Sequence, residues 1–294
     1  MSANWYDTGS ESGQSKKPMN FDFKYVIIVL VLILAVILAS LSFGTIKSAF
    51  NSAFGTVKYK TESICEIVVD RTGSASSTNV TSHFQKLAKS SSEACAEKHA
   101  LVDIWTTGSD GVNPTLVKSS VRLIYAGAKL SYYINKELFA QHQIQSALSK
   151  VFQNSSSGSS KGSDIVSALS QAASTGTKEA ASNGGVPVNL ILITDGMQLT
   201  QGVAVTSMSS IDSDPNLLAR QAQNLYPMAG LRGTNVFFYG VRGGTLSSTG
   251  QALPAWFENK VNAFWSDLVT SNGGFVCSYQ NDQSISAFLI CGGK

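Results

Sequence analysis

Apolar and polar positions alternate along this chain in two rhythms. After a polar start, Tyr25–Phe43 (YVIIVLVLILAVILASLSF) runs 19 residues without a charge. At roughly 1.5 Å per helical residue that length spans a hydrocarbon core of about 30 Å, so the segment is expected to be a transmembrane helix. Phe43, Ile46, Phe50, Ala53 or Phe54, and Val57 then recur at steps of three and four, which extends an amphipathic helix to about Lys58. From Glu62 onward short apolar runs alternate with helical patterns. Strands are expected at Ile64–Val69, Leu101–Thr106, Val121–Ala126, Val188–Thr194, Val236–Val241 and Phe275–Tyr279. Helices are expected at Val80–His99, Lys129–Phe152, Asp164–Ala181, from Asp214-Pro215, and at Pro254–Thr270. Asp214 serves as N-cap and Pro215 fits the first turn.

Repeated strand–helix units imply an α/β fold, a doubly wound and mostly parallel six-stranded sheet of Rossmann-like kind. The expected organisation is a disordered polar tail over 1–20, the membrane helix with its amphipathic extension over 21–58, and one α/β domain over 62–294. Met197 to Asp214 reads as a long Ser-rich loop, serving either partner specificity or plain connection.

Composition sharpens the compartment. Of 294 residues 14% are charged, against about 25% in average chains. The net charge of +3 and the lack of a basic stripe give no case for nucleic acid. Lysines flank the apolar segment equally, at 16, 17 and 24 before it and at 47, 58 and 60 after it, so charge does not orient it. The charge-poor bulk and the four cysteines place the globular part in an extracytoplasmic compartment, periplasmic or at the cell surface. Four cysteines allow three pairings; Cys277 and Cys291 are closest in sequence and would leave Cys65 with Cys95, while four buried thiols are the alternative. A single-pass membrane protein is the expected localisation.

Candidate chemistry lies in three stretches: Asp70-Arg71-Thr72-Gly73-Ser74, Gly162-Ser163-Asp164 and Thr194-Asp195-Gly196. All offer oxygen and none nitrogen or sulfur, the ligand chemistry of a hard divalent cation. Asp70 follows the first strand and Asp195 the fourth, which are neighbours at the crevice of a 3-2-1-4-5-6 sheet. Other chemistries lack their marks. His83, His99 and His142 stand apart, and no H-E-x-x-H, G-x-S-x-G, P-loop or G-x-G-x-x-G is present. A metal hydrolase would need a general base, for which Asp164 is the one nearby acid. The chain is therefore expected not to be an enzyme.

D-x-T-G-S, G-S-D and I-T-D-G in that order resemble the metal-ion-dependent adhesion site of a von Willebrand factor type A (VWA) domain, over roughly Glu62 to Gln280. The resemblance implies Asp70, Thr72, Ser74, Ser163 and Asp195 as metal ligands, with Mg²⁺ as the cofactor and Mn²⁺ or Ca²⁺ as alternatives. The family usually has Ser where Thr72 stands and Thr where Ser163 stands, exchanges that keep a hydroxyl. It implies a protein partner offering an Asp or Glu carboxylate, in a membrane-anchored adhesion or assembly module of the kind found in bacterial envelope or pilus machinery. Two further contacts are expected: the membrane through residues 25–43, and self-association through the 43–57 helix. A type A subunit of a cytosolic ATPase or chelatase-like remodelling complex is the alternative.

Overall fold

The computed structural model describes residues 60–71, 78–108, 113–123, 131–153, 162–200, 203–205, 214–241, 254–280 and 291. The chain divides into two units, 1–58 and 59–294, and the described residues lie in the second. In chain order they form β1 (Ser63–Val69), α1 (Thr78–Glu97), β2 (Ala100–Thr106), β3 (Thr115–Arg122), α2 (Ser131–Gln153), α3 (Ile165–Ser182), β4 (Val188–Ile193), β5 (Gln198–Thr200), β6 (Val203–Val205), α4 (Pro215–Leu225), a 3₁₀ turn (Ala229–Leu231), β7 (Asn235–Tyr239), α5 (Ala255–Thr270) and β8 (Phe275–Gln280).

Six strands make one sheet in the order β3-β2-β1-β4-β7-β8, all parallel except β3. This is the expected α/β architecture. Each residue of β1 and β4 is buried, because helices cover both faces of the sheet there. On one face Phe84 and Leu87 of α1 and Ile144 of α2 pack on Ile67, Val69 and Ile191. On the other, Leu169 of α3, Leu218 of α4 and Trp265 of α5 pack on Val68, Leu192 and Phe238. A run of small residues on α3, Ala168, Ala172, Ala173 and Gly176, lets that helix lie close to the strands. Asp214 caps α4 as its sequence indicates, accepting from the Asn216 N–H at 3.0 Å with Pro215 in the first turn.

Several expectations change. The third strand ends near where Val121–Ala126 placed its beginning. Thr115–Arg122 is an antiparallel edge strand with mostly exposed or half-buried residues, so apart from the isolated pair Leu116-Val117 its apolar signal comes only at the end, at Val121 and then Leu123. The stretch from Met197 to Asp214, expected as one long loop, contains the β5–β6 hairpin, with Gln198, Val203 and Val205 buried. Disulfides join Cys65 to Cys95 and Cys277 to Cys291.

The single-pass membrane localisation is corrected. Among the described residues no helix is long and apolar enough to cross a membrane. Helix α1 shows the pattern, with Phe84 and Leu87 buried on the sheet and Lys86, Lys89 and Glu93 turned outward. Residues 25–43 and 43–57, on which the anchor and the self-associating helix rested, lie outside the described residues. The two disulfides suit an extracellular or otherwise oxidising compartment.

Candidate metal centre

Sheet register builds the site. Val69 of β1 pairs with Thr106 of β2 and Ile193 of β4. The residues just past those three strand ends, Asp70, Thr107 and Thr194, therefore stand in one row. Asp70 donates its N–H to the Ile193 carbonyl at 2.8 Å, and Thr107 donates to the Val69 carbonyl at 3.2 Å, which holds the row beyond the strands proper.

Asp70 is the hub. Its Oδ1 accepts from the Thr107 hydroxyl at 3.1 Å and from the Ser163 hydroxyl at 3.2 Å, and its Oδ2 accepts from Thr194 Oγ1 at 2.8 Å. Thr194 in turn accepts from the Gly196 N–H at 3.0 Å, so its hydroxyl proton is aimed at the carboxylate. Asp195 is fully buried, and its Oδ1 accepts from the Met197 N–H at 2.9 Å. Gly196 supplies the turn with φ +81°, while Trp265 Nε1 grips its carbonyl at 3.1 Å. A Cβ on Gly196 would lie 2.8 Å from Val261 Cγ1, so a larger residue would push the loop off α5.

Ser163 arrives from the start of α3. The Asp164 N–H donates to the Gly108 carbonyl at 3.0 Å, bridging this segment to the end of β2. Asp164 is the N-cap of α3, accepting from the Ser167 N–H at 3.0 Å on Oδ1 and from the Tyr226 hydroxyl at 3.0 Å on Oδ2. Gln198 Oε1 accepts from the Ile165 and Val166 N–H groups at 2.7 and 3.0 Å. The orphan donors of the helix start are thus answered by side chains. Asp164 is committed to that capping role. Arg71, next to Asp70, is half-buried, and burial lowers its guanidinium from the usual value.

The structure thus brings Asp70 and Ser163 into contact and buries Asp195 at the end of the neighbouring strand. Thr72 and Ser74 fall in residues 72–77, outside the described residues. Thr107 and Thr194 were not among the expected site residues. Thr106-Thr107-Gly108 repeats the strand, hydroxyl, glycine pattern of the fourth-strand motif, and that signal could have found Thr107. Of the aromatic residues on α5, Phe257, Phe264 and Trp265 are core, as their helical spacing suggests, while Trp256 is exposed.

A second carboxylate group sits deeper, within the sheet. Glu66 of β1 and Asp103 of β2 are register partners, both fully buried, and Glu179 reaches them from α3. Burial pushes the Glu66 carboxyl well above its usual value, and the Asp103 charge adds to that, while the Trp105 N–H opposes it. Burial also raises Asp103 from 3.8 to about 6, against the Ser120 N–H that favours its charged form.

No family model matches the sequence, and no curated protein matches it. Among solved structures the chain is similar to an aerotolerance-related membrane protein from Bacteroides fragilis, at 14% identity over 76% of this chain and 94% of that one, with a TM-score of 0.38. It is similar to the pilus adhesin SpaC from Lactobacillus rhamnosus GG at 16% identity over 77% and 29%, with a TM-score of 0.43. It is also similar to manganese-loaded TRAP protein from Plasmodium vivax at 13% identity over 69% and 63%, with a TM-score of 0.37. The chain thus spans less than a third of the adhesin and under two thirds of TRAP. Likenesses this distant concern general fold alone.

Proposed function

We propose that the chain is a protein-binding module whose crest, at the ends of β1 and β4, holds a hard divalent cation, Mg²⁺ or Mn²⁺. One observation carries the reading: the Asp70 carboxylate receives hydroxyls from Thr107, Ser163 and Thr194, from three separate segments, beside the fully buried Asp195. Oxygen donors gathered from distant parts of the chain fit a hard ion. Asp70, Ser163 and Asp195 would hold it, with Thr72 and Ser74 as the remaining ligands. When bound, the ion supplies an electrophilic centre that a carboxylate of a partner protein can coordinate. Hydroxyl ligands are neutral and leave its charge unquenched. The role of the chain's own residues is to orient these oxygens: Thr194 and Thr107 fix Asp70, the Met197 N–H fixes Asp195, and the capped start of α3 fixes Ser163.

The reading is one of binding rather than turnover, since the nearby acid Asp164 is engaged as a helix cap. The two disulfides favour this reading over a cytosolic remodelling subunit. Mg²⁺ or Mn²⁺ at 100 times its dissociation constant should stabilise the fold by about 2.7 kcal/mol. Thermal melting with and without millimolar metal checks this, and Asp195→Ala or Asp70→Ala should abolish the gain. A wild-type melting curve that metal leaves in place would refute the metal, and a carboxylate-bearing partner captured equally well in chelator would refute its role in binding.

A further inference from the structure

Glu66, Asp103 and Glu179 each present an oxygen within 4.8 Å of an oxygen from the other two. In each carboxylate one oxygen is held by a neutral donor. Trp105 Nε1 donates to Glu66 Oε2 at 2.6 Å, the Ser120 N–H to Asp103 Oδ1 at 2.5 Å, and the Ser120 hydroxyl to Glu179 Oε1 at 2.9 Å. The other oxygens, Glu66 Oε1, Asp103 Oδ2 and Glu179 Oε2, are sealed from solvent and have no hydrogen-bond partner. Glu66 and Asp103 are themselves fully buried, where a carboxylate oxygen without a partner is strongly unfavourable. Lys178 and Arg122 line the groove of about 360 Å³ beside Glu179, yet no ion pair reaches these carboxylates among the described residues.

A shared proton can link two of these oxygens but leaves the third unanswered. A hard cation answers all three. Two ligands on one ion lie at most twice the metal–oxygen distance apart, about 4.2 Å for Mg²⁺ at ~2.1 Å and about 4.8 Å for Ca²⁺ at ~2.4 Å. Carboxylate oxygens of the three residues within 4.8 Å of one another come within reach of one such ion, the side chains closing on it. The helix approach is shaped for this space too. Gly176 of α3 faces Glu66, and a Cβ there would lie 2.9 Å from Glu66 Oε1. Of the three acids, Glu179 also lines the surface groove with Ser120 and Asn183, which brings the cluster's outer edge to solvent.

We infer that Glu66, Asp103 and Glu179 form a second site inside the sheet for a hard divalent cation, distinct from the crest at Asp70 and Asp195, with Ca²⁺ as its probe. It does not depend on the crest reading. Ca²⁺ titration calorimetry on the full-length chain tests it, using wild type, Glu66→Gln/Asp103→Asn and Asp195→Ala. A Ca²⁺ event retained in Asp195→Ala and weakened at least tenfold in the double variant supports the site. Ca²⁺ binding that is absent at millimolar concentration, unchanged in the double variant, or lost only in Asp195→Ala overturns it. Should the double variant not fold, Glu179→Gln, on a partly exposed helix position, reads the same tenfold loss. The crest reading is judged separately, by whether Mg²⁺ stabilisation disappears in Asp195→Ala.

Discussion

Asp103→Asn is expected to flatten the chain's loss of stability as pH rises from 4 to 7. Asp103 rises from 3.8 to about 6 because burial penalises its charged form. The folded state therefore holds this proton more tightly than the unfolded chain between those two values. Stability from this group is fully present below pH 3.8 and is lost as pH rises through about 6. At about 1.4 kcal/mol per pH unit the loss amounts to roughly 3 kcal/mol. Most surface carboxylates act in the opposite sense, gaining stability as pH rises. Asn keeps a carbonyl oxygen to accept the Ser120 N–H, now held at 2.5 Å, and carries no charge to desolvate. Urea unfolding at constant ionic strength, in chelator, from pH 4 to 7 is the assay. The two proteins should be nearly equal at pH 4, and the variant should be more stable at pH 7 by on the order of 1–3 kcal/mol. Parallel pH profiles, or a variant weaker than wild type at pH 7, would refute the reasoning.

Two further outcomes follow from packing and covalent constraint. Gly240 has φ +92°, and a Cβ there would meet Phe84 Cε1 at 2.6 Å, so Gly240→Ala should cost roughly 2–4 kcal/mol through strain and overpacking, read as a lowered melting temperature. Cys65→Ala/Cys95→Ala opens a link across 30 residues, whose closure is worth about 3–4 kcal/mol; equal denaturation midpoints for this variant and wild type would show that the bond constrains nothing.

Much of this fold is legible in the sequence because β1 and β4 are covered on both faces and so read as unbroken apolar runs. The caps are legible too: Asp214-Pro215 announces α4 by local chemistry alone. What escapes has a common cause. β3 is an edge strand whose exposed residues carry no apolar period, and the β5–β6 hairpin is three residues to a side. Asp70 and Asp195 are visible as motif residues, but Thr107 becomes a partner of Asp70 only once the β1–β2 register is known. The inner triad is hidden for the same reason. Glu66 interrupts ICEIVV and Asp103 interrupts LVDIWT at matching positions, yet only the pairing of Val69 with Thr106 sets the two acids side by side.

Glu66 lies on β1 and Asp70 directly follows it, four residues and thus roughly 13 Å on. Charge at one therefore acts on the other, and the size of that effect decides whether variants at one site report cleanly on its neighbour. A unit charge and a divalent ion at that distance interact by about 0.6 kcal/mol at ε ≈ 80 and about 2.6 kcal/mol at ε ≈ 20. At physiological salt the screening length is about 8 Å, which removes most of this wherever solvent intervenes. Removing the Asp103 charge should then shift crest affinity by less than about tenfold, the equivalent of roughly 1.4 kcal/mol. Loss of metal ligands weakens binding by at least about tenfold. Electrostatic crosstalk is the smaller effect, so Glu66→Gln/Asp103→Asn and Asp195→Ala separate the inner acids from the crest even though both groups share β1.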